Sequence, residues 1–339
     1  MEGTQALRLS YVSPFSRPEQ RRNAIEYAKL AEASGYDAVW LPEAFGSDAF
    51  TLLGLLAGHT QRLKLGTGIV NIYSRSPALL AQSFATLDEI SGGRAIIGLG
   101  TSGPIVVRDW HGLPFDKPLR RTREVVEILR LALAGERVNY QGECFRLAGF
   151  QMLTRPLQQR MPIYLATFKP NAVRQTGAIA DGWMPTHVSV RNLAALRRPL
   201  VEGAQAAGRE PAQIDMAALT LTACLADGER ARTLAREHLA YYVGGMGSFY
   251  QELLHSYGYG GVADEVGALW KQNRRTEAAK AIARHVLDDL VVAGTPEDCR
   301  AGLAARAAAG FAHLIAFPPH GMSAAETRET LAALPALAR

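Results

Sequence analysis

The side chains of this chain that could take part in chemistry lie shortly after predicted strands. Glu43, Asn71, Thr101 and His187 each follow a short, mostly apolar segment. The carboxyl ends of strands are where α/β proteins assemble their ligand sites. The sequence therefore predicts a ligand site built from several strand ends.

The most informative of these junctions is LKLGTGIVNIYSRSP, at residues 63–77. An apolar strand runs into two glycines, a polar loop and a proline that begins a helix. Glycine lets backbone approach a ring closely, and the amide groups at a helix start can hold a phosphate. Glycines, hydroxyls and amides dominate the other strand ends as well. This set suits a large planar cofactor with a phosphate tail better than a hydrolytic triad.

Common catalytic motifs do not occur in the sequence. It contains no GxSxG, HExxH or GxxxxGK[ST], which leaves serine hydrolase, zinc protease and phosphate-loop chemistry without support. The segment Gly98-Leu99-Gly100 lacks the third glycine and the later acid of a dinucleotide fingerprint. Three widely spaced cysteines predict neither a disulfide framework nor a zinc site, and we expect no metal.

Three residues are candidates for acid/base chemistry. Glu43 is either a proton donor, if burial raises its pKa, or a carboxylate near a helix start with a purely electrostatic role. His111 and His187 both lie in predicted loops. His187 is the nearer of the two to a predicted strand end, so it joins Glu43 as the predicted catalytic pair.

The elements that position these residues alternate between strand and helix. The pattern predicts a closed (β/α)8 TIM barrel rather than an open sheet. A long helical stretch at about 230–289, between strands seven and eight, is interpreted as an insertion within a single domain that covers residues 1–339. The eight strands are predicted at 7–12, 37–41, 63–70, 95–99, 163–166, 182–185, 216–224 and 313–317.

Composition and charge limit the kinds of partner that this chain could bind. The chain has 339 residues, is 48% hydrophobic and carries a net charge of +5 with a pI near 9.2. Its arginines are scattered through predicted helices, which disfavours nucleic acid, although a mild positive field would help to capture a phosphorylated cofactor. No apolar run approaches the ~18 residues that a membrane span needs. We expect a cytoplasmic protein that binds neither membrane nor nucleic acid.

Five segments together resemble the luciferase-like superfamily of flavin and deazaflavin oxidoreductases. They occur in the family's order, span nearly the whole chain and are most similar to the branch that uses coenzyme F420, which includes methylenetetrahydromethanopterin reductase. This resemblance implies the same barrel, a small-molecule substrate and a homodimer. The segments are AEASGYDAVWLPEAFGSDAF, RLKLGTGIVNIYSRSPALLAQSFATLDEISGGRAIIGLGTSGP, WHGLPFDKPLRRTREVVEILR, PIYLATFKPNAVRQTGAIADGWMP and GTPEDCRAGLAARAAAGFAHLIAFPP.

The resemblance also implies a cofactor site. The bond from Gly68 to Ile69 would be a non-prolyl cis peptide behind the cofactor ring, and Asn71 would bind the ring edge or the ribityl chain. Gly68 as a simple strand terminator and Asn71 as a turn residue remain open alternatives. The other implied cofactor-binding residues are Thr101 and Ser102, beside the ring and tail, and Thr167, Phe168, Lys169 and Asn171, near the phosphate.

Two positions depart from the sugar-phosphate dehydrogenases of this family. Ala44 follows Glu43 where those relatives carry a histidine, and Gly103 stands where they carry a glutamate. The predicted function is hydride transfer between coenzyme F420 and a small organic substrate. The alternatives are an FMN-dependent monooxygenase that uses reduced flavin and oxygen, and a non-catalytic flavin-binding barrel.

Overall fold

Short apolar strands form the centre of the molecule. The computed structural model describes residues 7–15 and 17–338, apart from the side chain of Phe150. The strands are β1 (Arg8–Val12), β2 (Ala38–Leu41), β3 (Lys64–Thr67), β4 (Val70–Asn71), β5 (Ala95–Gly100), β6 (Val138–Gln141), β7 (Arg146–Phe150), β8 (Ile163–Ala166), β9 (Gly182–Trp183), β10 (Asp215–Cys224), β11 (Val292–Gly294) and β12 (His313–Phe317).

Helices follow most of these strands. They are α1 (Pro18–Arg22), α2 (Ala24–Ser34), α3 (Ala49–Ala57), α4 (Pro77–Ser91), α5 (Pro118–Leu133), α6 (Pro170–Ile179), α7 (Leu193–Ala206), α8 (Gly228–Gly245), α9 (Phe249–Ser256), α10 (Gly260–Lys271), α11 (Arg275–Lys280), α12 (Arg284–Leu290), α13 (Pro296–Ala308) and α14 (Ala324–Leu337). A π-helical segment, Ile105–Trp110, lies between β5 and α5.

The strand order returns to its starting point. Neighbouring strands follow the sequence β1, β2, β3, β5, β8, β9, β10 and β12, and β12 pairs with β1. From β1 through β10, each pair of neighbouring strands in this ring is parallel. All residues of β2, β5 and β12 are buried, as expected for parallel strands covered on both faces. The predicted (β/α)8 barrel is therefore confirmed.

The described residues group into two compact units. The larger unit contains Ser10–Pro185 and Ala195–Ala217. The smaller unit contains the described residues up to Leu9, then Thr186–Ala194 and the chain from Ala218 onward.

Local signals place several helix ends where the sequence predicts them. The Asp48 carboxylate accepts the Thr51 amide at 2.7 Å and caps α3. Pro77 is the first residue of α4, where its fixed backbone angle suits a helix start. Gly35 ends α2 in the left-handed region, with φ of 91°, which a residue without Cβ adopts readily.

The long helical insertion is also observed. Helices α8 to α12 occupy Gly228–Leu290, between β10 and β11, within the smaller unit. Helix α8 approaches α10 so closely that a Cβ at Gly244 would clash with the ring of Trp270. The prediction of an insertion ahead of the last barrel strand is confirmed.

Candidate active site

The polar network after β2 and β4 joins residues that are distant in sequence. Arg75 donates hydrogen bonds to both Glu43 carboxylate oxygens and to Asp48. The Glu43 carboxylate also accepts the backbone amide of Ala49, the first residue of α3, at 3.0 Å. Arg75 lies over the ring of Phe50, 5.1 Å from its centre. The Glu43 carboxylate is thus bound by one guanidinium and by a helix start.

The charges of this network stabilise one another. Hydrogen bonds from the guanidinium to Glu43 raise the pKa of Arg75. Burial acts to raise the pKa of Asp48, yet hydrogen bonds from Thr51 and the charge of Arg75 lower it overall. The side chains of Arg75 and Glu43 are only 16% and 11% exposed, so water screens this ion pair little.

The backbone after β3 carries the predicted bond geometry. The peptide bond between Gly68 and Ile69 is cis, which confirms the prediction. Both residues are partly exposed, whereas the flanking Thr67 and Val70 are buried. Across from them, a Cβ at Gly100 would lie 3.0 Å from Cγ1 of Ile69. The end of β5 therefore leaves little room for a side chain at position 100 beside Ile69.

Asn71 makes both local and tertiary contacts. Its amide oxygen accepts the backbone amides of Tyr73 and Ser74 at 3.0 and 2.7 Å, which is an Asx turn. Its amide nitrogen lies 3.4 Å from Nε2 of His111. The side chain of Asn71 is fully buried. The turn-residue alternative accounts for the role of its amide oxygen but not for that of its amide nitrogen. The pairing with His111 joins the ends of β4 and the π-helical segment.

A stacked aromatic group follows this turn. The ring of Tyr73 stacks on Phe115 at 5.4 Å, and the Arg121 guanidinium lies 4.7 Å from its centre. The Tyr73 hydroxyl donates to the backbone carbonyl of Asp116 at 2.8 Å, and burial raises the pKa of Tyr73 to about 12. Tyr73 therefore stays neutral and holds the loop before α5.

The loop after β5 is open and partly apolar. Ser102 adopts a left-handed backbone with φ of 52°, and a Cβ at Gly103 would contact nothing within 4 Å. The Thr101 hydroxyl donates to the Ser102 carbonyl at 3.1 Å. Trp110 is 64% exposed, and Phe45, which follows β2, is 59% exposed. Exposed aromatic rings thus accompany the predicted cofactor-binding hydroxyls.

The predicted phosphate-binding residues surround the start of α6. Lys169 is exposed, and its carbonyl accepts the amides of Ala172 and Val173. The Thr167 carbonyl accepts the indole N–H of Trp183 at 2.9 Å, and its hydroxyl pairs with that of Thr176. The two other members, the half-buried Phe168 and the exposed Asn171, lie in the same turn.

His187 lies in the smaller unit and is fully buried. Its ring contacts those of Tyr242 and Tyr250, with centres 4.9 and 5.4 Å away. Burial lowers the pKa of His187 to about 3, so its imidazole is neutral. Sequence reasoning missed the other rings of this group. The spacing of His238 and Tyr242, four residues apart on one helix face, is the signal that could have indicated them.

The described residues contain neither a membrane-spanning helix nor a cluster of metal ligands. No helix in the described part of the chain is long and apolar enough to cross a bilayer. Within residues 7–15 and 17–338, no group of three or more histidine, cysteine or acidic side chains could hold a metal ion.

The chain matches a known family. A family model described as luciferase-like monooxygenase matches residues 7–313. A Mycobacterium tuberculosis protein named as a coenzyme F420-dependent oxidoreductase is 35% identical over 312 residues, which cover 87% of this chain and 90% of that protein. The 5,10-methylenetetrahydromethanopterin reductase of Methanolobus tindarius is 32% identical over 296 residues, with the same coverage of 87% and 90%.

Solved structures agree on the fold. The coenzyme F420-dependent tetrahydromethanopterin reductase of Methanopyrus kandleri matches with a TM-score of 0.85 at 24% identity, over 97% of both chains. An F420-dependent secondary alcohol dehydrogenase matches with a TM-score of 0.81 at 19% identity, over 98% of this chain and 99% of that one. The chain belongs to the luciferase-like family and is one of its oxidoreductases.

Proposed function

We propose that this protein binds coenzyme F420 and transfers a hydride between the deazaflavin and a small organic substrate. The observation that carries the proposal is the partly exposed pair Gly68 and Ile69, beside which Gly100 leaves little room for a Cβ. A flat ring can lie against such a surface, whereas a side chain there would obstruct it. The Mycobacterium tuberculosis relative, which is named for F420 use and is 35% identical, supports the choice of cofactor.

The residues present fit this cofactor. Thr101 and Ser102 would lie beside the ring and tail, and the turn that begins α6 would hold the phosphate through backbone amides and Lys169. Asn71 would present to the ring edge or ribityl chain the amide hydrogen that does not face His111, since its oxygen is held by the Asx turn. When bound, the cofactor supplies the hydride chemistry, and the protein supplies orientation and a dry pocket.

We propose that Glu43 acts mainly through Arg75. The carboxylate is held by the guanidinium and by the start of α3, which favours the electrostatic alternative of the two that the sequence leaves open. Its role as a proton donor stays a prediction. His187, the other predicted catalytic residue, is neutral and has no charged partner among the rings that contact it.

Cofactor titration tests the proposal. Purified protein is titrated separately with F420, followed by deazaflavin fluorescence, and with FMN, followed by flavin fluorescence. We expect saturable F420 binding that is tighter than FMN binding. FMN binding with substrate-dependent oxygen uptake would instead establish a monooxygenase. Binding of either cofactor with no turnover on a broad substrate panel would leave a flavin-binding barrel without catalysis.

A further inference from the structure

The buried imidazole of His187 breaks a general rule of protein interiors. Nδ1 and Nε2 both lack a hydrogen-bond partner among the residues that the structure describes, and the side chain is fully buried. Buried polar groups are nearly always paired, because an unpaired one has lost its hydrogen bonds to water. His187 also has φ of 50°, a left-handed conformation that is uncommon outside glycine.

Hydrogen bonds to Asp289 hold the backbone that follows His187, and they fix the loop that buries the imidazole. The Asp289 carboxylate accepts the amide of Arg191 at 3.2 Å and the hydroxyl of Tyr259 at 3.0 Å. The Val190 amide donates to the Asp289 carbonyl at 3.4 Å. Because these hydrogen bonds do not involve the imidazole, a phenylalanine at position 187 would leave the loop in place and would bury no unpaired polar atom.

A second histidine presents a defined donor next to the same rings. His238 stacks on Tyr242, with ring centres 5.1 Å apart and an angle of 15°. Its Nδ1 accepts the backbone amide of His320 at 3.0 Å, which places its hydrogen on Nε2. That Nε2 group is buried and has no partner within the described residues.

Together these rings match one ligand chemistry. Neutral His187 offers one donor and one acceptor, and His238 offers one donor. The tyrosine and phenylalanine rings around them, Tyr242, Tyr250 and Phe317, carry no charge at neutral pH. At His187, whose ring neighbours are Tyr242 and Tyr250, a charged ligand would lose its hydration without gaining a counter-charge. A carbonyl or hydroxyl oxygen would pair with these nitrogens.

We propose that His187 and His238 form the polar wall of a binding site for the uncharged carbonyl or hydroxyl group of an organic ligand, which enters by displacing Tyr250 from His187. Naming this ligand as the substrate rests on the proposed function, but the binding site does not.

The position of Tyr250 allows this displacement. It lies at the start of α9, which follows a short turn in which the exposed Gly247 has φ of 83°. Tyr242 and Tyr250 are themselves partly exposed, whereas His187 behind them is not. One ring at the edge of the group therefore has to move for a ligand to reach the imidazole.

Calorimetry on the full chain, without added cofactor, tests this site with four probes of matched size. They are cyclohexanone, cyclohexanol, cyclohexanecarboxylate and cyclohexylammonium. We expect the ketone and the alcohol to bind and the two ions to bind at least about tenfold more weakly, as expected when a buried charge lacks a partner. In ¹⁵N-detected NMR of the same samples, the imidazole signals of His187 should shift with the neutral probes.

Two variants separate this role from a structural one. His187→Phe should fold with an unchanged or higher Tm and lose about tenfold or more in affinity for cyclohexanone, since one hydrogen bond is removed. The control is His255→Phe, at an exposed histidine of α9 that pairs with Asp264, and it should bind all four probes as the wild type does. Tyr250→Ala should strengthen binding of the neutral probes.

Several outcomes would overturn the proposal. These are no binding of either neutral probe up to its solubility limit, equal binding of ions and neutral probes, or unchanged ketone affinity in a folded His187→Phe variant. F420 titration is a separate measurement. A protein that binds the neutral probes but not F420 would refute the proposed function and leave this site in place, and the reverse result would do the opposite.

Discussion

The ion pair between Glu43 and Arg75 makes a prediction at the scale of single residues. Glu43→Gln keeps an acceptor for the Ala49 amide but removes the charge that faces Arg75. Because the pair is mostly buried, we expect the free energy of unfolding to fall by about 2 kcal/mol. Urea unfolding measures this change. If Glu43 works by positioning Arg75, the pH profile of kcat should stay the same.

The matched control is Glu277→Gln, which breaks the exposed pair with Arg274 and should change stability by less than about 0.5 kcal/mol. Full stability of Glu43→Gln together with a lost limb of the pH profile would instead identify Glu43 as the proton donor.

Burial of His187 makes stability depend on pH. Burial lowers its pKa to about 3 from an ordinary value of 6.5. Between these two pH values, the unfolded chain binds a proton at His187 that the folded chain does not bind. The stability is therefore fully present above pH 6.5 and is lost as pH falls towards 3, at up to about 1.4 kcal/mol per pH unit. His238, whose pKa is lowered mainly by burial and also by His320 and His187, adds to the same loss.

His187→Phe tests this dependence. Between pH 7 and pH 5, the free energy of unfolding should fall less steeply in the variant than in the wild type. The two slopes should differ by the contribution of about one bound proton. Tyr242 and Tyr250, which face the His187 ring, stay neutral in this range because their pKa values are raised by burial. Parallel slopes in the two proteins would contradict the buried, neutral state of His187.

At the scale of secondary-structure elements, the junctions between strands and loops decide where a cofactor can lie. Gly100→Ala adds a Cβ 3.0 Å from Ile69 at the end of β5. We expect a folded protein with at least about tenfold weaker F420 binding, because the Ile69 side chain would be pushed towards the ring position. Fluorescence titration measures the affinity, and circular dichroism checks the fold.

Gly261→Ala, in α10, is the control for the added methyl group. A Cβ at that position meets nothing within 4 Å, so F420 affinity should not change. Equal affinity of the Gly100→Ala variant and the wild type would remove the main support for the cofactor site.

Most barrel strands could be predicted because their apolar runs are short and bounded by turn residues. The predicted strand at 63–70 is instead divided, since β3 ends at Thr67 and β4 begins at Val70. The β6–β7 hairpin was not predicted. Its turn is held by Glu124 of α5, which accepts the amides of Glu143, Cys144 and Phe145. Glu124 lies 19 to 21 residues before the amides it binds, so this contact leaves no pattern within the hairpin itself.

At the scale of the whole molecule, the resemblance predicts a homodimer, and one surface of the larger unit suits that assembly. Leu55 of α3 is 45% exposed, and Leu79 and Ile90 of α4 are 48% and 57% exposed. Leu79 and Ile90 are eleven residues apart and so lie on one face of α4. We call Leu55, Leu79 and Ile90 the α3–α4 face.

We expect light scattering to give the mass of two chains for the wild type and of one chain for Ile90→Glu, because a charge would have to be buried at the interface. The control is Leu153→Glu, at another leucine that is 98% exposed but is not part of the α3–α4 face. A monomeric wild type, or a dimeric Ile90→Glu variant, would show that this face does not join two copies.

The sequence by itself determined the barrel and the long insertion, and its resemblance to the family implied the cis bond at Gly68. Strand alternation and turn residues are local patterns, and the family's segments occur in order along the chain. Only the tertiary structure decided what surrounds the polar candidates. Arg75 reaches Glu43 across 32 positions, and the tyrosines that enclose His187 come from helices α8 and α9. Side-chain partners depend on packing between distant elements, and pKa values depend on those partners and on burial.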